Sequence, residues 1–580
     1  MRTPFLLTSL VALAFGASAA VAQERPAVAP AAAAAPAVSG TAPRSVKNRL
    51  TEEIVVTAEK REQSLQEVPA TVQAFSGAVL DAKGVSDLKD LQLVTPGLQY
   101  DSMASYSIIY IRGIGGDAYQ AGIDSSVATY VDDLYLPFTF GAAQALGDVA
   151  QVEVLKGPQG TLYGRNAIAG AITVKLKEPT KEFSTNLLLQ GGSQESVKGK
   201  LSVSGPIPFT KFGGDENRLS YTASVLYENR ESFAIYYPDP SQKYHDYRNF
   251  GYRALLKWNI FGTTTLSVSA LGLKFQDSDS VVTVLLEPFA AFQGVLTGRN
   301  VPHESGISPF SYAFGKTRLA VAKLESNDIP WFNTKLVVGR GDSKSDILFD
   351  YDGAPEPVLD ISAVPNTLKA KSYELILASN PENTPDWLEY TGGLFYSDTF
   401  KSGFYPITVD GIALALGTPG SAVGVPLCPV LTNLGLDCTA DPSVNTNPLV
   451  QARLGSGFNN KARSVYGQLT GHITDKLSAV AGGRASVETA KLLFSTVDAR
   501  LIIPGPGGGF QTDQIRALSF NEQSHVFSSF TPNFGLNYKY NDSTLVHELD
   551  SFDGALLDFL IMQHTFYYLV RNLTEDSHTL

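Results

Sequence analysis

From Phe183 onward, apolar and polar positions alternate along the chain in short stretches. Leu219, Tyr221, Ala223 and Val225 alternate with Ser220, Thr222 and Ser224, and Leu266, Val268 and Ala270 with Ser267 and Ser269. Val465, Gly467, Leu469, Gly471 and Ile473 alternate with Tyr466, Gln468, Thr470 and His472, and Phe534, Leu536, Tyr538 and Tyr540 with small or polar residues. Alternation of this kind gives each strand one apolar and one polar face. About fourteen such strands fit between Phe183 and Leu545, so the fold class is mainly β. Upstream the texture differs. Gln151 to Lys175 opens as a strand, with Val152 and Val154 on one face and Gln151, Glu153 and Leu155 on the other. It then breaks at Gly157, Pro158, Gly160, Gly164 and Gly170 before Ala171 to Val174 resumes an extended pattern, which predicts strand, glycine-rich turn, strand. Leu88, Leu91 and Val94 stand at helical spacing ahead of Thr95-Pro96-Gly97 and predict a short core-facing segment.

Alternating strands suit a soluble β-sandwich and also a barrel with lipid outside and water inside. The start of the chain bears on that choice. Arg2, the apolar run Phe5 to Phe15, and Ala17 to Ala22 ending in Ala20-Val21-Ala22 read as a secretory signal peptide over residues 1–22, the alternative being an internal apolar strand or helix. Downstream there is no apolar run of about 18 residues, so membrane insertion would require a closed barrel. The 25 tyrosines and 31 phenylalanines favour the barrel, as do long loops expected at Gly411 to Pro448 and Leu501 to Gly509. Asp475-Lys476 reads as a short turn. Residues 23–50, rich in alanine and proline, read as an extended spacer. Cys428 and Cys438 share a Gly/Pro-rich loop; in an exported chain they read as a disulfide, with two thiols as the alternative, and two ligands alone make no closed metal site.

At 580 residues with 44% hydrophobic content, the chain has room for two or more domains and is not a disordered polymer. Its net charge of −12 argues against a nucleic-acid partner, which would want a basic face. The glycine-rich run is not a phosphate cradle, because Gly164 is followed by Arg165-Asn166 where Lys-Ser/Thr would be needed. Asp132-Asp133 between two apolar runs is most simply a hairpin turn; a catalytic carboxylate pair would want a third partner. His245, His303, His472 and His525 fit neither a zinc-protease nor a nucleophile-elbow pattern, so the expectation is no enzyme and no cofactor. Thr51 to Ala58 places Ile54, Val55 and Val56, all strand formers, beside Glu52 and Glu53. This segment is suited to joining another protein's sheet edge, or else is the first strand of the domain that follows.

Taken in order, Tyr106 to Gly113 (YSIIYIRG), Thr129 to Tyr135 (TYVDDLY) and the Gln151 to Lys175 segment resemble the plug domain of TonB-dependent outer-membrane receptors. The matching positions include Arg112, Gly113, Asp132, Lys156, Gly157, Pro158, Gly160, Tyr163, Gly164, Arg165 and Gly170. The resemblance implies an α+β plug over 59–177 inside an antiparallel transmembrane β-barrel that occupies 178–546. It makes residues 51–58, with Ile54, Val55, Val56, Thr57 and Ala58, the TonB box on which the inner-membrane TonB complex pulls. It implies active uptake across the outer membrane of a Gram-negative bacterium. The ligand would by default be a ferric siderophore, with cobalamin, nickel chelates, oligosaccharides and plant-derived aromatic compounds as competitors. Ligand would sit between extracellular loops and the plug turns at Asp101 to Ser107 and Gly115 to Ser125. Arg112 and Lys156 match positions at which the family pairs plug cations with barrel glutamates, and Glu374 is the barrel candidate. The family's signalling members carry a folded domain before the TonB box; residues 23–50 leave no room for one, so a transporter is expected.

The resemblance also implies a barrel of about twenty-two strands, of which about eight are absent here. The family pattern holds through Phe530 to Val546 and fails over residues 547–580. That tail carries three of the seven histidines and the non-alternating clusters Leu556 to Met562 and Phe566 to Val570, and it ends on Thr579-Leu580. The expectation is a frameshift or early stop, with a smaller natural barrel as the alternative and a nonfunctional remnant as the second reading of function. An open sheet edge in lipid leaves backbone groups unpaired, at several kcal/mol each.

Overall fold

In a computed structural model, the described residues are 55–551 apart from 66, 69, 86, 104–105, 117–123, 138–147, 211–217, 232–234, 237–246, 278–303, 306–311, 351–358, 411–448, 505–509, 521 and 542–543. The expected signal peptide, spacer, Ile54, Cys428, Cys438 and the tail after 551 lie outside them.

The N-terminal part is built on a five-stranded sheet in the order Thr71–Ser76, Val149–Lys156, Gly170–Leu176, Val127–Val131, Leu134–Leu136. Gly170–Leu176 runs antiparallel to Val149–Lys156 and parallel to Val127–Val131. Valine is the commonest residue in these strands, and the sheet is covered on both faces: Val152, Val154, Leu155, Ile172 and Val174 are all but inaccessible. The connection between the two central strands is richer than a plain turn, because Gly160–Tyr163 closes one helical turn. Gly170, at φ +150°, completes it. A Cβ there would lie 2.1 Å from the Leu155 carbonyl oxygen, so the chain can re-enter the sheet only at glycine. Ser76 caps the helix Gly77–Ala82 by accepting from the Val79 N–H. A 3-10 turn at Lys89–Leu93 follows, and Leu88 and Leu91 pack into the core as their spacing predicts. Leu98–Met103, Tyr106–Ile111 and Ile114–Gly116 form a separate antiparallel meander.

From Ser184 to Ser551 most strands of the described residues form one fourteen-stranded antiparallel sheet whose neighbours follow chain order except at Phe510–Phe520, with Ile235–Tyr236 and Glu304–Ser305 as a separate parallel pair. Its exposure pattern is inverted relative to a soluble protein. Val225, Val268, Val465, Leu469, Phe534 and Leu536 are exposed, whereas Thr222, Ser224, Ser267, Gln468, Thr470 and Asn533 are buried. Apolar outside and polar inside is the alternation of a lipid-facing barrel wall, and the sandwich alternative is set aside. No helix among the described residues is long and apolar enough to cross a membrane.

One local expectation changes. Residues 501–504, expected to open a loop, extend the strand Leu477–Pro504. That strand pairs first with Gln523–Asn541 and then, beyond Ser495, with Phe510–Phe520, so one long strand faces two shorter ones. Asp475-Lys476 does form a short turn, between Leu449–His472 and Leu477–Pro504. Among the described residues the first strand, Ser184–Gly191, and the last, Thr544–Ser551, are not paired with each other.

Candidate functional site

The segment Val55 to Ala58 is ordered and lies against the plug sheet. Val55 and Val56 pair with Ser64 and Gln63. Val56 and Ala58 are buried with Leu155, Tyr163 and Ala171, while Val55 is 44% exposed. The main chain is gripped at three points. Gln151 Nε2 donates to the Val55 carbonyl at 2.9 Å, the Thr57 N–H donates to Glu153 Oε1 at 3.0 Å, and the Tyr163 hydroxyl donates to the Thr57 carbonyl at 3.2 Å. The sequence suggested a free handle or a first strand of the plug; the fold shows a short strand docked on the plug sheet.

The next three residues face the barrel wall. Glu59 Oε1 accepts from Gln468 Nε2 at 2.7 Å, and Arg61 pairs with Glu59 at 2.8 Å and with Glu389. Lys60 Nζ lies 3.2 Å from Glu374 Oε2, with side chains only 6% and 5% exposed. Its ammonium also stands 4.7 Å from the Tyr130 ring centre and 4.9 Å from that of Tyr163. The Tyr466 hydroxyl donates to Glu374 at 2.8 Å.

Glu374 therefore links plug to barrel through Lys60, which corrects the expected pairing with Arg112 and Lys156. The reason is placement. Arg112 and Gly113, at φ 54° and 80°, form the two-residue turn between Ile111 and Ile114, where Arg112 is exposed. The Arg112 N–H donates to the Gly97 carbonyl at 2.7 Å, and Lys156 Nζ donates to the Pro96 carbonyl at 2.5 Å. Burial and the neighbouring Arg112 charge hold the Lys156 ammonium below the usual lysine range. The Lys156 ammonium and the Arg112 main chain thus brace the Pro96-Gly97 corner.

Acid–base pairs hold the plug elsewhere, with the acid on the plug. Asp132 and Asp133, at φ 49° and 68°, are the hairpin turn that their setting predicts, from Val131 to Leu134. Asp132 accepts from the Leu176 N–H at 2.9 Å and from Arg253 at 3.4 Å. Asp133 lies 3.2 Å from Lys335 and 3.7 Å from Lys323. Both carboxylates are engaged by cations of the strand array. Asp124 bridges Arg165 and Lys401, and Arg165 also reaches Glu488. Gly164, at φ +77°, lets the helical turn pass the Arg484 guanidinium, which a Cβ would meet at 2.7 Å. Gly157 and Pro158 lead into that turn, with the Gly157 N–H donating to the Ala169 carbonyl at 3.0 Å. A small pocket beside Asp124 is lined by Ser107, Ser125, Tyr135 and Asn166, bringing together ends of the two plug turns expected to face ligand.

These charges set an acid limit. Burial alone would raise the Asp133 and Asp124 carboxyls, but Lys335 and Lys323 in one case, and Lys401 and Arg165 in the other, hold both well below the ordinary range. A depressed folded-state value means that the stabilisation is complete above the unfolded aspartate value of about 3.9 and is lost as pH falls through the folded value. Protease resistance of the plug is therefore expected to stay level from about pH 7 to about pH 4 and to fall only below that. A loss centred near about pH 5 would remove these pairs from the account.

Comparison with known proteins agrees with this geometry. Residues 64–171 match the family model of the TonB-dependent Receptor Plug Domain. The pesticin receptor of Yersinia pestis is 36% identical over 161 residues, covering 27% of this chain and 23% of that protein. The ferripyoverdine receptor of Pseudomonas aeruginosa is 27% identical over 231 residues, or 39% and 25% of the two chains. The chain thus spans about a quarter of the curated relatives it matches. In structure, the ferric yersiniabactin uptake receptor FyuA of Yersinia pestis superposes with a TM-score of 0.59 at 18% identity, over 83% of this chain and 63% of that one. The siderophore receptor PiuA of Acinetobacter baumannii gives 0.58 at 16% identity, over 84% and 64%. The chain therefore carries a TonB-dependent receptor plug domain, seated against a strand array with the fold of the TonB-dependent outer-membrane receptors.

Proposed function

We propose that this protein imports a ferric siderophore across the outer membrane of a Gram-negative bacterium, with the work delivered by TonB through residues 51–58. The observation that carries the reading is the strand Val55–Val56, docked on the sheet of a plug that charge pairs hold to the strand array. A partner that pulls on this segment acts directly on the plug sheet. Relatives named for ferripyoverdine and pesticin match over 231 and 161 residues. The outward row that includes Val225, Val268 and Leu469 meets lipid, and ligand binds on the side of the Asp124 pocket. The chain acts as a transporter and carries no catalytic chemistry.

The test is uptake of radioactive iron supplied as ferric yersiniabactin, ferric pyoverdine and a ferric catecholate to iron-limited cells that lack other siderophore receptors. Uptake of at least one, present with TonB and absent without it, is expected. Folded protein in the outer membrane that imports none of the three overturns the siderophore reading.

A further inference from the structure

We propose that Glu153 is a latch that holds the coupling segment on the plug sheet and releases it by exchanging the segment's donors for water. The proposal rests on the reading of residues 51–58 as the segment through which work is delivered.

Glu153 is a carboxylate at 0% exposure in the middle of the otherwise apolar run Val152 to Leu155. A buried charge is costly unless it is paired and hydrogen-bonded, so its partners reveal what it is for. Within the sheet they are weak. Thr173 Oγ1 donates to Oε2 at 3.3 Å, Gln151 Nε2 donates to Oε1 at 3.2 Å, and Lys175 Nζ stands 3.5 Å away on a side chain that is 32% exposed. The shortest contact comes from outside the sheet, from the Thr57 N–H at 3.0 Å, and the Thr57 hydroxyl adds a second at 3.4 Å. Across the sheet Glu153 faces Ala74 on one side and Thr173 on the other, both small, so a slot is left over it. Val56 and Ala58 close that slot.

This makes the docked segment a two-state element. With the segment in place, Glu153 is dry and accepts from Thr57. With the segment drawn away, the slot opens and water solvates the carboxylate, replacing the lost donors. An alanine at 153 would leave the Thr57 N–H without its acceptor and favour the undocked state. Gln151 and Tyr163 hold carbonyls of the segment, whereas Glu153 accepts the Thr57 N–H.

The experiment uses the full chain in outer-membrane fractions, with Cys428 and Cys438 changed to serine and a single reporter introduced as Val56→Cys. Val56 is wholly buried in the docked state, so its labelling by a maleimide reads undocking. In a Glu153→Ala background the labelling rate is expected to rise by about tenfold or more. Glu153→Gln keeps an acceptor for Thr57 and should lie between parent and alanine. A second reporter, Val174→Cys, sits in the plug sheet at 1% exposure and should stay protected in every background. Unchanged labelling at position 56 in Glu153→Ala overturns the latch. So does equal opening at 56 and 174, which makes Glu153 a residue of the plug core only. The assay contains neither ligand nor TonB, so its failure leaves the uptake reading standing. Iron uptake that proves independent of TonB would sink that reading without altering the labelling result.

Discussion

Lys60→Met is expected to destabilise the seat of the plug in the strand array by about 3–5 kcal/mol, the usual cost of stripping one partner from a buried ion pair. The side chains of Lys60 and Glu374 are 6% and 5% exposed, so little solvent screens them. Methionine preserves most of the lysine stem and its contacts with the Tyr130 and Tyr163 rings, and it removes the charge. What remains at Glu374 is a buried carboxylate with the Tyr466 hydroxyl at 2.8 Å and, as its remaining nearby positive charge, the buried guanidinium of Arg484 over the Tyr466 ring. Adding Glu374→Gln to Lys60→Met removes that orphaned charge while keeping an acceptor for Tyr466, so the double variant should recover most of the loss. Glu374→Gln alone leaves Lys60 as the unpaired member and should be nearly as damaging as Lys60→Met. The readout is the temperature at which the plug becomes open to protease in outer-membrane preparations of the four proteins. Losses that simply add in the double variant would mean that the two residues do not act as a pair.

The strand alternation carried most of the fold. A run such as Val465 to Ile473 states both its element and its faces, because lipid and lumen impose opposite chemistries on successive residues. The structure puts Val465, Leu469 and Ile473 outside and Tyr466, Gln468 and Thr470 inside. The plug was legible through its order of motifs, and Gly164 and Gly170 through backbone needs that only glycine meets. The helical turn at Gly160–Tyr163 was not legible, since four residues show no helical period. The charge pairs were the least visible part. Glu374 was found but given the wrong partners, because ion pairing depends on which strand lies opposite, and Lys60 meets Glu374 across 314 positions of sequence. Asp124 gave no local sign, and Asp133 gave only that of a hairpin turn. Glu153 did give one, as a lone acid within a strand of core residues, and Glu59-Lys60-Arg61 gave another as a charged run directly after an apolar one.

Val55→Pro is expected to bring iron uptake down to background while leaving ligand binding at the cell surface unchanged. Proline at this position removes one backbone donor from a segment that would join a partner's sheet edge, and it fixes φ near about −65°, away from the strand region. Val55 is the appropriate site because its side chain is already 44% exposed, whereas Val56 is buried in a core cluster and proline there would also damage packing. Besides its pairing with Gln63 and Ser64, the segment is held from the plug side through the Val55 carbonyl and the Thr57 N–H and carbonyl, none of which proline at 55 removes. The two functions therefore separate. On the proposed function, binding would rest on plug turns and loops, and transport on main-chain pairing with the partner. Val55→Thr, which keeps the donor and the strand preference, should transport as the parent does. Parental uptake in Val55→Pro, with the protein at normal abundance, would show that force enters the plug by some other route. Loss of binding together with uptake would show that residue 55 serves the fold of the plug and is not a point of attachment.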